Sequence, residues 1–331
     1  MIEISNGNLV VKINELLGAE IIHYGTKDKN YLAYYDWNTP VEVSKSAHYE
    51  TPLMDFMSEY RGGWQVLFPN TGNSSKISGI ELPFHGEVSR TKVEIAESSE
   101  NKVVIKTGCR LPLVLTRSFT VLPDKDVLVI EQQVFNESKI KIPFIWGEHP
   151  AFALPKGSRI KLTGAEILVE PKNAGDYLDL PAEGSGIWPY INNINGTRVD
   201  LSVVPDGPVE RLCYLKDVKE SWAAFEVGTD LLGMSWDKNA FPYLWFWQQI
   251  GGLGFPWFGR AMITALEPAS SWPSYGLSEA IKNNQATYIE PGEIKSSWTS
   301  LSLASSLGNK IESVSSVSQS GEFTFAEDRS F

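Results

Sequence analysis

The stretch LVLTRSFTVLPDKDVLVIEQQVFN, residues 113–136, decides the fold class. Two runs rich in β-branched and aromatic residues flank the turn-forming sequence LPDKD, an arrangement typical of a β-hairpin. NGNLVVKI at residues 6–13 and VVIKTG at 103–108 repeat the pattern of strand and turn. Only GLSEAIKNN, residues 276–284, predicts a helix, and that helix is short. The sequence therefore predicts an all-β fold built as one large antiparallel sandwich.

Composition limits the classes of ligand. The chain has 331 residues, 42% of them hydrophobic, which is enough for a sizeable core. Its net charge of -11 argues against nucleic acid, since phosphate binding requires clustered Lys and Arg. The N-terminal sequence lacks the segments of a signal peptide, and no apolar run reaches membrane-spanning length. We therefore expect a cytoplasmic protein with no nucleic-acid or membrane partner and a neutral or weakly charged small ligand.

Metal and cofactor motifs are missing from the sequence. The histidines and cysteines are too dispersed for metal-ligand spacing, at His23, His48, His85, Cys109, His149 and Cys213. A phosphate-binding loop and a dinucleotide-binding glycine fingerprint are also lacking. The sequence predicts a protein that uses neither a metal nor a cofactor.

PFIWGEHPAF, residues 143–152, places a histidine at the end of an apolar run. If the segment continues a strand that starts at Lys141, side chains alternate, so His149 shares a face with Gly147 while Glu148 points to the other face. Histidine titrates near neutral pH, which suits a general acid. A core histidine hydrogen-bonded to the backbone is the alternative, and this segment alone does not separate the two.

GRAMITALEP, residues 259–268, places a carboxylate at the end of a row of small apolar side chains. Alternation puts four side chains on one face, those of Ala261, Ile263, Ala265 and Glu267. Burial there would raise the pKa of Glu267 and make it a better base near pH 7. The alternative is an edge glutamate that points into water.

Two glycine-flanked turns carry polar side chains. RGGWQVLFPN at 61–70 has Arg61 ahead of a Gly-Gly pair, and LPFHGEVSR at 82–90 has His85 before a glycine. Glycine lets the backbone turn and leaves space beside its neighbour. Arg61 and His85 are therefore candidate ligand-binding residues, with a surface salt bridge and a turn cap as the respective alternatives.

Aromatic residues late in the chain suit a sugar ligand. In AFPYLWFWQQIGG, residues 240–252, alternation puts Trp247 and Gln249 on one face, and FPWFGR adds Trp257. Flat rings stack on the apolar faces of sugar rings, and amides hydrogen-bond their hydroxyls. We expect at least one of these three side chains to reach the ligand.

In their order along the chain, these segments resemble the aldose 1-epimerase, or galactose mutarotase-like, superfamily, nearest its hexose-6-phosphate epimerase-like or uncharacterised branches. RGGWQVLFPN is similar to the arginine-bearing segment of those branches, and FHGEVSR to the family's His-Gly turn. VFNESKIKIPFIWGEHPAF is similar to the strand pair with the second histidine, and ALEPASSWP to the segment with the catalytic glutamate.

The resemblance implies a β-supersandwich with a sugar pocket, and an isomerase that interconverts the α and β anomers of an aldose or aldose phosphate. Glu267 would take the proton from the anomeric hydroxyl while His149 protonates the ring oxygen, and the opened chain would close from the other face. His85 and Arg61 would hold the sugar. WGEHPAF departs from the family's pattern around this histidine. The family's hydroxyl-binding aspartate has three candidate counterparts here: Glu210, Asp206 and Asp237.

A second class of function stays open. Glycan-binding proteins use the same fold, so the chain could be a non-catalytic carbohydrate-binding or sugar-sensing protein. Glycoside hydrolysis is a third class, and it needs two opposed carboxylates, whereas no clear second one accompanies Glu267. A homodimer is also compatible with the sequence.

The composition of the chain changes after Ser302. Residues 1–302 form the predicted sandwich domain, and residues 303–331 form a Ser-rich C-terminal tail without a steady period. Ordering such a tail costs about 1–2 kcal/mol of backbone entropy per residue, so we expect most of it to be mobile. Phe323 and Phe325 are spaced like one face of a short strand, which could order the tail by docking on a sheet edge.

Overall fold

A computed structural model describes residues 1–36 and 51–326, which are mostly β-strand. The strands of the first half of the chain are β1 (Ile2–Ser5), β2 (Val10–Asn14), β3 (Glu20–Thr26), β4 (Lys29–Asn30), β5 (Trp64–Leu67), β6 (Ser75–Ile77), β7 (Ile80–Leu82), β8 (Glu94–Ser98), β9 (Lys102–Gly108), β10 (Leu113–Val121), β11 (Val127–Asn136), β12 (Ile142–Phe144), β13 (Gly147–Phe152) and β14 (Ile160–Leu162). Those of the second half are β15 (Glu166–Val169), β16 (Ser185–Ile187), β17 (Tyr190–Asn192), β18 (Arg198–Asp200), β19 (Val209–Lys216), β20 (Trp222–Val227), β21 (Asp230–Trp236), β22 (Tyr243–Ile250), β23 (Met262–Ala269), β24 (Thr287–Ile289), β25 (Ile294–Ala304), β26 (Val314–Val317) and β27 (Phe323–Phe325).

Two sheets form the sandwich. The large sheet has the strand order β1-β2-β3-β5-β13-β23-β22-β19-β15-β16-β17-β18, with β4 added beside β3. The second sheet has the order β14-β20-β21-β25-β11-β10-β9-β8. The core lies between them, where the Tyr24 hydroxyl donates to the Leu301 carbonyl at 2.8 Å and the rings of Phe152 and Phe225 lie 4.5 Å apart. The predicted antiparallel sandwich is confirmed.

The hairpin that decided the fold class forms as predicted. β10 and β11 pair antiparallel from Leu113 opposite Asn136 to Val121 opposite Leu128. Burial alternates along β10, because one face packs into the core and the other faces outward. The period-two pattern was therefore a reliable signal for these strands.

The strand predicted through Lys141 and His149 is divided into two. β12 pairs with β24 outside the large sheet, and β13 begins at Gly147. Between them, the backbone N–H of Ile145 donates to the Pro69 carbonyl and that of Trp146 donates to the Ser270 hydroxyl. The break is not visible in the sequence, because β12 and β13 are both buried and together read as one apolar run. Within β13, successive side chains do point to alternate faces.

Two α-helices occur among the described residues, where the sequence predicted one. The predicted helix is present as α2 (Leu277–Lys282), and α1 (Pro52–Glu59) precedes β5. Thr51 caps α1 by accepting the Met54 N–H, and Pro52 occupies the first turn, where its missing N–H costs nothing. In this part of the chain, neither helix is long and apolar enough to cross a membrane.

The tail is more ordered than the sequence suggested. β25 continues to Ala304, past the predicted boundary, and a 3-10 helix (Gly308–Ser313) leads into the β26–β27 hairpin. Phe323 and Phe325 do form a short strand, but it pairs with β26 and not with a sheet edge. Ile311, Val314 and Val317 pack on Trp222, Ala224 and Leu231 of the second sheet. These buried side chains are too widely spaced to give a periodic signal, so the expectation of a mostly mobile tail was wrong for residues 303–326.

Replacing Ile311 by Ala should lower the free energy of unfolding by about 2 kcal/mol, the lower end of the cost for a buried isoleucine, because the cluster lies at the edge of the sandwich. Chemical denaturation measures this change. The control is Gln319→Ala at the exposed hairpin turn, which should stay within about 0.5 kcal/mol of the wild type. Equal stability of the two variants would show that the packed tail contributes nothing.

Candidate active site

His149 and Glu267 lie side by side on the large sheet. β13 pairs with β23 so that Gly147 lies opposite Ala269 and Ala151 opposite Ala265, which brings the midpoints of the two strands together. The Nε2 atom of His149 is 3.7 Å from Oε1 of Glu267. That distance is too long for a direct hydrogen bond and short enough for one bound oxygen to contact both groups.

Both side chains face away from the sandwich core. Glu148, the residue before His149, points the other way, where it contacts Arg117 of β10 and Gln132 of β11. Because side chains alternate along a strand, His149 and Glu267 lie on the opposite face, which we call the site face of the large sheet. The face predicted for each residue is therefore the observed one.

Burial shifts the pKa values of both groups toward their neutral forms. Only 4% of His149 and 3% of Glu267 is exposed. Burial raises the pKa of Glu267 well above its usual value and lowers the pKa of His149 to about 4. One carboxyl oxygen of Glu267, Oε2, is buried without a hydrogen-bond partner. The opposed shifts, upward for Glu267 and downward for His149, both favour a pair that keeps its proton on Glu267.

His85 enters the site from its glycine-flanked turn. Its backbone has φ +60°, and Gly86 follows at φ +81° against the Phe68 carbonyl, where a Cβ would collide. The Gly72 N–H donates to Nδ1 of His85 at 3.0 Å, so the neutral ring carries its proton on Nε2. Burial, followed by His149, lowers the pKa of His85 well below its usual value. With its ring 5.4 Å from that of His149, His85 is a neutral donor beside the pair.

Aromatic rings surround the pair, and one of them, Tyr60, was not predicted from the sequence. The Tyr60 hydroxyl lies 3.5 Å from Nδ1 of His149, and its ring is 6.0 Å from both Trp247 and Trp257. Tyr60 ends α1, and Phe56, one turn earlier, contacts the ring of His85 at 4.8 Å. The spacing of four between Phe56 and Tyr60, after a Thr-Pro helix start, is the signal that could have found them.

Arg61 is turned toward the edge of this cluster. Its guanidinium forms an ion pair with the exposed Asp36 at 3.1 Å. It also lowers the pKa of Glu20, a buried carboxyl on β3. The structure therefore shows Arg61 paired with Asp36 and not with His149 or Glu267.

Glu210 and Gln249 form a cluster of their own. The Nε2 of Gln249 donates to one oxygen of Glu210, and the N–H groups of Asp176 and Tyr177 donate to the other. These bonds occupy both carboxyl oxygens and hold the loop before β16 on β19. The other two candidate acids have partners of their own: Asp206 pairs with Lys156, and Asp237 accepts the Asn239 N–H.

The described residues offer no metal cluster. Within residues 1–36 and 51–326, no three His, Cys, Asp or Glu side chains are grouped to hold a metal ion. His48 lies outside the described residues.

Solved structures share this architecture. A galactose mutarotase-like protein from Clostridium acetobutylicum matches with a TM-score of 0.61 and 17% identity, over 92% of this chain and 94% of that one. One from Lactobacillus casei matches with a TM-score of 0.56 and 19% identity, over 92% and 100%. A galactose mutarotase related enzyme from Lactobacillus acidophilus matches with a TM-score of 0.57 and 14% identity, over 92% and 97%.

Sequence comparison adds no closer relative. The chain matches no protein-family model and no curated protein. At the identities above, structural likeness shows the fold and not the activity. Taken with the sheet topology, these matches show that the chain has the galactose mutarotase-like β-sandwich fold.

Proposed function

We propose that the protein is an aldose 1-epimerase, an isomerase that interconverts the α and β anomers of an aldose. The observation that carries the proposal is the His149–Glu267 pair, buried on the site face with a gap of 3.7 Å and with pKa values shifted in opposite directions. Anomer exchange needs one group that removes a proton from the anomeric hydroxyl and one that protonates the ring oxygen. The pair supplies both groups without a metal or a cofactor.

The proposed reaction keeps the number of protons on the pair constant. Sugar hydroxyls that bind Glu267 favour its ionised form, so its proton can pass to His149. Glu267 then takes the proton of the anomeric hydroxyl while His149 gives its proton to the ring oxygen, and the C1–ring oxygen bond breaks. The aldehyde rotates about the C1–C2 bond. Reversal of both transfers closes the ring on the other face and regenerates the pair.

The surrounding side chains suit a sugar. His85 offers an Nε2–H donor for an oxygen near the reacting centre. Trp247, half-buried beside the buried rings of Tyr60 and Trp257, offers a ring face that matches the apolar face of a sugar ring. A phosphorylated aldose needs a cation in the site, and Arg61, the candidate, is paired with Asp36. Experiment must therefore decide between a free and a phosphorylated aldose.

An NMR exchange screen tests the proposal directly. Saturation transfer between the two anomeric protons would be measured for free and phosphorylated aldoses, with and without the protein. Faster exchange for at least one sugar supports the epimerase. Saturable binding without faster exchange supports the alternative, a carbohydrate-binding or sugar-sensing protein. Neither binding nor faster exchange for any aldose would contradict both.

The rate of exchange should vary little as the pH is lowered from 7 to about 5, one unit above the pKa of His149. Below the pKa of His149, about 4, a second proton enters the pair and the base is lost, so the rate should fall. At high pH, loss of the Glu267 proton removes the acid, and the raised pKa of Glu267 moves that fall well above its usual range. The catalysed rate, corrected for spontaneous exchange, measures this profile. A decline centred on the ordinary histidine pKa near 6.5 would contradict it.

A further inference from the structure

Two more polar side chains stand in line with His149 and Glu267. Gln65 of β5 lies directly opposite His149, and the Nε2 of Gln65 donates to Oε1 of Glu20 on β3 at 3.0 Å. β3, β5, β13 and β23 are neighbours in the large sheet. Glu20, Gln65, His149 and Glu267 therefore form one row across four strands on the site face.

Gln65 has an unused acceptor. The side chain is 7% exposed, and its carbonyl oxygen, Oε1, is buried without a hydrogen-bond partner. The amide nitrogen is bound to Glu20, so Oε1 is the free end of the amide. A buried polar atom without a partner is unfavourable, and such atoms in folded proteins require an explanation. A ligand hydroxyl would supply the missing donor.

Glu20 is an unusual residue to bury. It is 3% exposed, and burial raises its pKa to about 7, although Gln65 and Arg61 lower it in part. Its bond to Gln65 fixes which end of the amide is free. Burying a carboxyl disfavours its charged form, so burial of Glu20 lowers the stability of the fold. A purely structural role does not explain why this position holds a buried glutamate.

The spacing places Gln65 within reach of a bound sugar. Adjacent strands lie about 4.8 Å apart, so the amide is roughly one strand spacing from His149. A sugar with its anomeric centre between His149 and Glu267 would extend its ring hydroxyls over the neighbouring strand. Gln65 is the polar side chain that β5 presents there.

We propose that Gln65 accepts a hydrogen bond from one specific sugar hydroxyl, and that Glu20 is the positioning residue that holds the amide in this orientation. This inference rests on the proposed sugar site between His149 and Glu267. It makes the pair Glu20–Gln65 a determinant of which aldose is bound.

The test combines Gln65→Leu with a set of monodeoxy sugars. For the best substrate, Gln65→Leu should raise KM about tenfold, the effect of one lost hydrogen bond, with kcat nearly unchanged. For the deoxy sugar that lacks the contacted hydroxyl, the wild type and the variant should have the same KM. The control is Gln248→Leu, which is buried on the core face and should show no dependence on any single hydroxyl.

Glu20 variants test the positioning role. Glu20→Leu should raise KM for the same sugars as Gln65→Leu, and Glu20→Gln should restore it because its amide oxygen can still accept the Gln65 N–H. An equal loss for every sugar, deoxy sugars included, would show that the pair is only structural and would overturn the inference. If Gln65→Leu does not fold, Gln65→Asn retracts the amide by one carbon and serves the same test.

The outcomes for the two proposals are separable. If the wild type binds sugars without exchanging anomers, the proposed activity fails, and the same variants are compared through the Kd from titration. If the wild type exchanges anomers but Gln65→Leu has an unchanged KM for every sugar, only the hydroxyl contact fails. If no sugar binds to the wild type, both fail.

Discussion

Replacing Glu267 by Gln should slow anomer exchange by about 100-fold or more, and replacing His149 by Asn should do the same. Glutamine keeps the size of the side chain but cannot take the anomeric proton, and asparagine cannot carry a proton to the ring oxygen. Both residues are buried on the site face and 3.7 Å apart, so no neighbouring water replaces either one easily. Saturation-transfer NMR on the best substrate measures the rate, and circular dichroism checks the fold.

Two matched variants serve as controls for these substitutions. Glu94→Gln changes an exposed glutamate of β8, and His23→Asn changes a half-buried histidine of β3 that bonds the Thr26 carbonyl. Neither should alter the exchange rate. A folded Glu267→Gln or His149→Asn protein with a rate near that of the wild type would remove that residue from the mechanism.

Replacing Arg117 by Met should lower the free energy of unfolding at pH 7 by about 3–5 kcal/mol. Arg117 and Glu148 are fully buried between the sheets, with their guanidinium and carboxyl groups 2.9 Å apart. The carboxyl also accepts N–H groups from Trp64 and Gln132. Without the arginine, Glu148 is a buried charge with no cation. Urea denaturation measures the loss.

The pH dependence of this loss has a definite sign. Burial already raises the pKa of Glu148, and Arg117 opposes that effect, so its removal should raise the pKa further. The folded variant then binds a proton that the unfolded chain has released, and its stability should fall as the pH rises from 5 to 7. Arg159→Met, which breaks an exposed ion pair with Glu312, is the control and should change the stability far less, because solvent screens the pair. A similar loss of unfolding free energy in both variants would show that the buried Arg117–Glu148 pair contributes no more to stability than an exposed ion pair.

Residue alternation made much of the fold and part of the site predictable. The hairpin of β10 and β11 and the faces of His149 and Glu267 follow from a period of two within single strands. Tyr60 was missed because the short helix that it ends was not predicted. Gln65 and Glu20 were missed because their proximity to His149 depends on which strands are neighbours. Gln65 meets His149 through the pairing of β5 with β13, and a sequence pattern within either strand does not encode that pairing.

For the C-terminal tail, the sequence predicted less order than the structure has. Serine-rich composition indicated mobility, yet a few apolar side chains suffice when a sheet face is available to bury them. Glu210 was a candidate for the hydroxyl-binding acid, and it does lie on a strand, β19. Its contacts with the loop N–H groups of Asp176 and Tyr177 were not readable from one sequence.

The row of Glu20, Gln65, His149 and Glu267 spans almost 250 positions of the chain, from residue 20 to residue 267. Each of its members comes from a different strand, and each pair of neighbouring strands is joined by long-range contacts. Such contacts form late and together, because closing long loops costs entropy before any pairing stabilises them. His149 and Glu267 therefore meet only in the completed sheet, so no fragment that ends between them holds the proposed pair. The proposed activity requires the fully folded chain, and chains that are still being synthesised or have been cleaved between these residues should lack it.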